Sequence, residues 1–139
     1  MNRFQGVLSI CLACMTSAAF AHSGAPHEAR VFIISPKDGA HVFSPVSVQF
    51  GIEGMAVAAA GQALPRSGHH HLLVDLDTLP DFSQPLPKNE HVLHFGGGQT
   101  EATIKLAPGK HTLQLLFADG LHRVHKPPVM SKRITVFVN

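Results

Sequence analysis

The amino-acid sequence predicts an all-β domain built as an antiparallel sandwich. Three observations support this class: apolar and polar residues alternate in several short segments, turns rich in proline and glycine separate these segments, and none of them has a convincing helical period. With 139 residues and a hydrophobic content of 45%, the chain has room for one such domain and not for a second.

The first segment, residues 1–21, is expected to be a signal peptide. Arg3 supplies a short positive region, residues 7–13 form an apolar stretch, and Ala19-Phe20-Ala21 fits a signal-peptidase site. The apolar stretch is too short to span a membrane, and no other run reaches the length that a spanning helix needs. We therefore expect an exported, periplasmic protein without a transmembrane segment.

Both cysteines, Cys11 and Cys14, lie in this leader. Cleavage after Ala21 would leave a mature chain without a thiol, which excludes disulfides, thiolate metal sites and cysteine nucleophiles from the domain. The alternative is a lipoprotein anchored at Cys14, because Leu12-Ala13-Cys14 partly matches a lipobox.

Residues 22–29 are expected to form a flexible N-terminal tail, followed by a single sandwich domain over residues 30–139. The first strand is predicted at residues 30–34, before the turn Pro36-Lys37-Asp38-Gly39. A second strand is predicted at residues 46–52, where apolar residues occupy every other position.

The central predicted strand begins at three consecutive histidines, after a long loop over residues 54–68. A strand's pleat would place His70 on one face with Leu72 and Val74, and would place His69 and His71 on the other face. The pleat is therefore expected to divide the triplet between the two sides of a sheet.

The remaining segments complete the predicted sandwich. Residues 101–106 and 110–118 are expected to form a hairpin through Pro108-Gly109, residues 119–128 a loop, and residues 132–138 the closing strand. About seven short strands at this spacing favour a sandwich of the immunoglobulin or fibronectin type.

Four motifs occur in order along the chain. They are Gly68-His69-His70-His71-Leu72-Leu73-Val74-Asp75, His94-Phe95-Gly96-Gly97-Gly98-Gln99-Thr100-Glu101, Pro108-Gly109-Lys110-His111-Thr112-Leu113-Gln114-Leu115, and the segment from Asp119 through His122 and His125 to Ser131. Together they resemble the exported bacterial family known as domain of unknown function 4399, over roughly residues 30–138. In this chain Val92 replaces the first histidine of the family's His-x-His and His91 is displaced by one. The resemblance implies the fold, the export and the motif residues, and it names no reaction.

The histidine content is the main anomaly of the composition. All eleven histidines follow residue 21, whereas the formal net charge of +2 gives no electrostatic case for binding nucleic acid. Neutral imidazole is the commonest protein ligand for copper and zinc, so we predict a copper or zinc ion as cofactor. The primary candidate ligands are His69, His71, His94, His122 and His125; the secondary candidates are His22, His27 and His91.

Other polar residues are given supporting roles. Asp75 and Asp119 are predicted to accept hydrogen bonds from imidazole rings and so orient them, although each could instead cap a turn. His70 and His111 are predicted to be hydrogen-bonded histidines of the core.

Two functions of different class remain open from the sequence. The first is a periplasmic metal-binding protein for copper, with zinc second, which acts in metal handling or buffering. The second is a non-catalytic sandwich that binds a protein or an envelope ligand and whose histidines are structural. No enzyme is predicted, because neither a His-Glu-x-x-His helix, a nucleophile elbow nor a phosphate-binding loop is present. The first function predicts that the primary histidines converge, and the second predicts dispersed rings paired with carbonyl groups.

Overall fold

A computed structural model describes residues 24–139, and this part of the chain contains β-strands and no helix. The ten strands are β1 (Arg30–Ser35), β2 (Ala40–Val42), β3 (Val46–Glu53), β4 (Ala56–Val57), β5 (Ser67–Val74), β6 (Val92–His94), β7 (Glu101–Ile104), β8 (Gly109–Ala118), β9 (Val124–Met130) and β10 (Ile134–Val138). The predicted all-β class is confirmed. Ten strands form where about seven were expected, partly because β2, β4 and β6, of three, two and three residues, also pair with neighbours.

The strands form the two sheets of a sandwich. The smaller sheet has the order β1-β3-β7, and the larger one has the order β2-β10-β8-β5-β4, with β6 also pairing with β5 and β9 with β8. The short strands β2 and β4 pair in parallel with β10 and β5, and the other pairs are antiparallel.

The main core lies between the two sheets. It forms because alternate residues of each strand share a face, as the period-two pattern of β3 predicts. Val46, Val48 and Phe50 of β3 are buried there against residues of β5 and β8. Removal of apolar surface from water, worth roughly 25 cal/mol per Å², is the main favourable contribution of this packing.

A second, smaller core covers the opposite face of the larger sheet. Its buried members are Leu73, Leu86, Val92, Leu116, Ala118 and Val124. Strand β5 is consequently buried along its whole length, because it has a core on each face. This explains why its apolar residues form a continuous run without polar alternation.

The predicted hairpin between residues 101–106 and 110–118 is wrong. Strand β7 pairs with β3 in the smaller sheet, whereas β8 pairs with β5 and β10 in the larger one. Ile104 of β7 is buried in the main core from the side opposite to β8. The connection through Pro108-Gly109 therefore carries the chain from one sheet to the other.

The ends of two other predicted segments also differ. The loop predicted over residues 119–128 stops at residue 123, since β9 begins at Val124. Before β1, Ala25 is buried in the main core, only 8% exposed, and the amide of Ala29 donates to the carbonyl of Pro26. The packed part of the domain therefore starts ahead of residue 30.

Several sequence-based predictions concern residues outside the described part of the chain. The leader over residues 1–21, the lipoprotein alternative at Cys14 and the candidate ligand His22 all belong to this group. Within residues 24–139, no helix is long and apolar enough to cross a membrane.

Candidate metal centre

The centre is built on β5, whose pleat divides the three consecutive histidines as the sequence predicts. His70 faces the main core, with its ring close to those of Phe50 and Phe117. His69 and His71 face the other side of the larger sheet. All three rings are completely buried, at 0% exposure.

Strand β6 brings His94 to this outer face. The strand pairs with β5 in antiparallel register, and His94 is the partner of His71. Paired residues of neighbouring strands project to the same face, so the two rings lie side by side with centroids 5.3 Å apart.

The turn after β8 brings His122 to the same place. Ala118, the last residue of β8, pairs with His69, so the turn begins next to that histidine. An Oδ1 atom of Asp119 accepts the amides of Leu121 and Arg123, both at 2.9 Å, and closes the turn. His122 sits in this turn at φ 64°, a left-handed conformation that is uncommon for residues other than glycine.

These four histidines form one group. One ring nitrogen from each of His69, His71, His94 and His122 can be chosen so that all four atoms lie within 4.8 Å of one another. Metal–imidazole bonds are about 2.0–2.1 Å long, so two ligand nitrogens of a tetrahedral ion are about 3.4 Å apart. Contraction of the widest pair by about 1.4 Å would therefore bring all four nitrogens into one tetrahedral shell.

The surroundings of His69 and His71 on β5 favour the neutral form of both imidazole rings. Burial is the main cause that lowers the pKa of His69 to about 4, and the nearby rings of His94 and His122 lower it further. Burial likewise lowers the pKa of His71 to about 3, with the same neighbours contributing. The pKa of His94 is also lowered, first by burial and then by His122 and Lys88. Neutral rings can bind a cation without first losing a proton.

The ring nitrogens of the buried pair have no hydrogen-bond partners. Among the described residues, neither the Nδ1 nor the Nε2 atom of His69 or of His71 makes a hydrogen bond. Buried polar groups are normally paired, and an unpaired one costs about 1–3 kcal/mol. His94 and His122 do pair with each other, one Nε2 donating to the other at 2.9 Å. The group thus offers lone pairs that a metal ion could use, and it could hold such an ion.

His125 was expected among the ligands, but it is not in this group. Because β9 begins at Val124, the pleat turns His125 away from the smaller core to which Val124 belongs. Its ring stacks on Phe117 of the main core, with centroids 6.1 Å apart. The spacing of His122 and His125 predicts a shared centre only if residues 119–128 form one loop, and the start of β9 at Val124 removes that condition.

The secondary candidates within the described residues also lie outside the group. His27 is exposed in the segment before β1. His91 is exposed as well, and its Nδ1 atom donates to the carbonyl of Val74 at 2.9 Å.

Asp75 and Asp119 were expected to orient the histidine rings, but neither carboxylate makes a hydrogen bond with a ring of the four-histidine group. Asp75 binds the ring of His111, with its Oδ2 atom 2.7 Å from Nδ1, and its Oδ1 atom accepts the amide of Thr112. Asp119 closes the turn described above and pairs with the guanidinium of Arg123. Asp119 nonetheless acts on the group at a distance, since its charge opposes the lowering of the pKa of His69.

The two histidines predicted to be structural differ from each other. His111 is hydrogen-bonded as expected, with its Nε2 atom donating to the carbonyl of Ala107 at 2.7 Å in addition to the bond with Asp75. It is partly exposed, however, and not buried in the core. His70 is buried as expected, but neither of its ring nitrogens has a hydrogen-bond partner in the described chain. The expected hydrogen bond of His70 is thus not found, because the main core around it supplies aromatic rings in place of acceptors.

The close contact between Gly96 and the ring of His94 could not be predicted from the sequence. Gly96 lies so close to the ring of His94 that a Cβ atom at this position would overlap the imidazole. The only signal in the sequence was the run Gly96-Gly97-Gly98, which indicates a tight bend without identifying the group that requires it.

Comparison with known proteins agrees with the four sequence motifs. No curated protein and no solved structure matches the chain. The family described as domain of unknown function (DUF4399) matches residues 48–139, which contain β5, β6 and the turn after β8. All four histidines of the group lie within this match, which covers more than half of the chain, and the chain belongs to the DUF4399 family.

Proposed function

We propose that this chain is a periplasmic metal-binding protein that binds copper, with zinc as the second choice, in a site formed by His69, His71, His94 and His122. Its role is metal handling or buffering in the cell envelope. The main observation in support of this proposal is that four histidines converge. Two of them, His69 and His71, are fully buried and their ring nitrogens make no hydrogen bonds.

The chemistry of the group supports copper and zinc over other ions. All four donors are imidazole nitrogens, and carboxylate oxygens, which calcium and magnesium prefer, are absent from the group. Nitrogen ligands suit copper and zinc, and among divalent first-row ions copper binds such sites most tightly. The sequence predicts that the leader is cleaved on export. Cleavage would remove Cys11 and Cys14, so no thiol of the mature chain would compete with the histidines for the ion.

A binding role is favoured over catalysis by the number of ligands. Catalytic zinc sites commonly use three protein ligands and leave a position for water or substrate. Four histidines would fill a tetrahedral shell around one ion. We therefore propose that the protein is not an enzyme.

The alternative is a non-catalytic interaction module of the cell envelope, with structural histidines. His91 and His111 favour this reading, because each donates to a carbonyl group. The alternative gives no role to the unpaired nitrogens of His69 and His71, whose burial is costly without a ligand. The immunoglobulin- or fibronectin-like classification of the sandwich likewise stays a prediction.

The test is metal binding by protein purified without a histidine tag and stripped with a chelator. The protein is titrated with Cu(II), Cu(I) and Zn(II), and binding is measured by calorimetry and by competition with chromophoric chelators. One ion should bind tightly per chain. His122→Ala should weaken binding by more than the roughly 10–100-fold that loss of an outer hydrogen bond costs, because it removes a ligand.

Two substitutions serve as matched controls. The first is His125→Ala, three residues after His122, and the second is His91→Ala, three residues before His94. Both histidines lie outside the four-histidine group. Both variants should bind as the unmodified protein does. Absence of binding by the unmodified protein at micromolar concentration would refute the proposal and favour the interaction module.

A further inference from the structure

The four histidines are held by elements of different rigidity. His69 and His71 lie within β5, whose eight residues are all buried. His94 is the last residue of β6 and His122 lies in the turn after β8, and both are partly exposed. The shape of the group therefore depends on what fixes these two loops relative to β5.

One short turn contacts both loops. The amide of Ala60 donates to the carbonyl of Gly96, and the next amide, of Gly61, donates to the carbonyl of Gly120, both at 2.8 Å. Gly96 lies two residues after His94, and Gly120 lies two residues before His122. The turn, residues 59–62, is closed by the amide of Gln62 donating to the carbonyl of Ala59 at 3.3 Å.

Both contact points exclude a side chain. A Cβ atom on Gly96 would overlap the ring of His94 and would come within 3.1 Å of the Cβ of Ala60. A Cβ atom on Gly120 would overlap the backbone carbonyl of Gln62. At Gly120 the missing side chain is what admits the turn, whereas at Gly96 the nearest conflict is with His94 itself and the turn comes second; Gly120 is therefore the position that reports on the turn alone.

We infer that residues 59–62 form a clip that positions His94 and His122, and that Gly96 and Gly120 are the positioning residues through which it acts. The inference rests on the proposed metal site. By holding two ligands in place before the ion arrives, the clip lowers the ordering cost of binding and slows release of the ion.

The experiment compares Gly96→Ala and Gly120→Ala with Gly97→Ala. At position 97 a Cβ atom would meet only the end of the flexible Gln99 side chain, at 3.1–3.3 Å, so this variant is a control in the same loop. Zn(II) and Cu(II) affinities, and the rate of ion release to excess chelator by stopped flow, are measured for all three. Thermal unfolding of the metal-free proteins reports whether each variant is folded.

Gly96→Ala and Gly120→Ala are expected to bind at least about tenfold more weakly and to release the ion correspondingly faster, with Gly97→Ala close to the unmodified protein. If the unmodified protein binds the ion and all three variants match it, the clip has no positioning role. If the unmodified protein itself binds no ion, the proposed function fails instead.

Hydrogen exchange on the unmodified protein tests the clip without any substitution. The amides of Ala60 and Gly61 should become more protected when Zn(II) is added, because the ion stabilises both loops that accept their hydrogen bonds. Equal protection with and without a bound ion would overturn the inference, even if the glycine variants do not fold.

Discussion

At the scale of single residues, His70 combines full burial with the absence of any hydrogen bond from its ring. Its neighbours in the main core are the rings of Phe50 and Phe117. Burial is the main cause that lowers the pKa of His70 to about 4, so the ring is neutral at pH 7. A neutral imidazole in apolar surroundings forfeits the hydrogen bonds that water would give it.

His70→Leu is therefore expected to raise the free energy of unfolding of the metal-free protein, by about 1–2 kcal/mol, because it replaces an unpaired polar ring by an apolar group of similar size. Metal affinity should not change, since the His70 side chain faces the main core and not the four-histidine group. Urea denaturation and metal titration measure the two quantities. A loss of stability greater than about 1 kcal/mol would show that the ring has a polar partner.

His71→Leu provides the contrast, because it removes the same chemical group from the other face of β5. Its metal-free form should also gain stability, whereas metal binding should be lost. The two variants therefore separate the cost of a buried, unpaired ring, which His70 and His71 share, from metal binding, which we propose for His71 and not for His70.

The pair of His111 and Asp75 links stability to pH. The hydrogen bond to Asp75 is the main cause that raises the pKa of His111, and the bond to the Ala107 carbonyl contributes in the same direction. The folded chain therefore holds this proton more tightly than the unfolded chain does. The resulting stabilisation is complete below the usual pKa of 6.5 and is lost as the pH rises through the higher pKa of the folded protein.

Over that window the free energy of unfolding should fall with rising pH, and His111→Gln should make the profile flatter. Denaturation midpoints at several pH values above 6, in the presence of chelator, give the comparison. His27→Gln, at an exposed position outside this pair, is the control for replacement of a histidine. An equally steep profile in His111→Gln would contradict the assignment of the slope to this pair.

At the scale of elements, the bend between β9 and β10 is fastened to β8 by one side chain. The hydroxyl of Ser131 donates to the carbonyl of Lys132 and accepts the buried amide of Leu115, each at 2.8 Å. The amide of Ser131 donates back to the carbonyl of Leu115 at 2.9 Å. Strand β8 lies at the centre of the larger sheet, so this contact secures the element on which β5, β9 and β10 all depend.

Ser131→Ala should cost about 1–3 kcal/mol of unfolding free energy, because it leaves the Leu115 amide buried without its side-chain acceptor. Guanidinium denaturation should show a lower midpoint with an unchanged slope. Ser47→Ala, at an exposed position of β3, should have little effect. Similar values for the two variants would indicate that the amide finds another acceptor.

At the scale of the whole molecule, the candidate metal centre lies where β5, β6 and the turn after β8 meet. Strands β5 and β8 contribute buried residues to both cores, whereas β6 contributes Val92 to the smaller core and packs Leu93 against the main one. An ion bound to one histidine from each of these parts would act as a cross-link between them.

Addition of Zn(II) at about 100 times its dissociation constant should consequently raise the unfolding free energy by about 2.7 kcal/mol, and a chelator should reverse the change. Calorimetric melting temperatures with and without the ion measure this effect. His71→Leu should show no such response. An equal rise in both proteins would mean that the ion binds elsewhere.

Much of the fold could be predicted from the sequence because strand pairing leaves a local signature. The period of two in residues 46–52 reflects one buried face, and the same period correctly divides His69, His70 and His71 between the two faces of β5. The three short strands β2, β4 and β6 have no such signature, since two or three residues are too few to show a period. The sheet to which β7 belongs was also hidden, because its apolar pattern fits either sheet.

The sequence by itself determined that the chain forms β-strands, that His69 and His71 share a face, and that the motifs are those of the DUF4399 family. These properties depend on residues close together in the chain. Only the tertiary structure decided that His94 and His122 join them, that His125 does not, and that residues 59–62 tie the two loops together. The physical reason is that these relations depend on strand register and on contacts between residues distant in sequence, which no local pattern specifies.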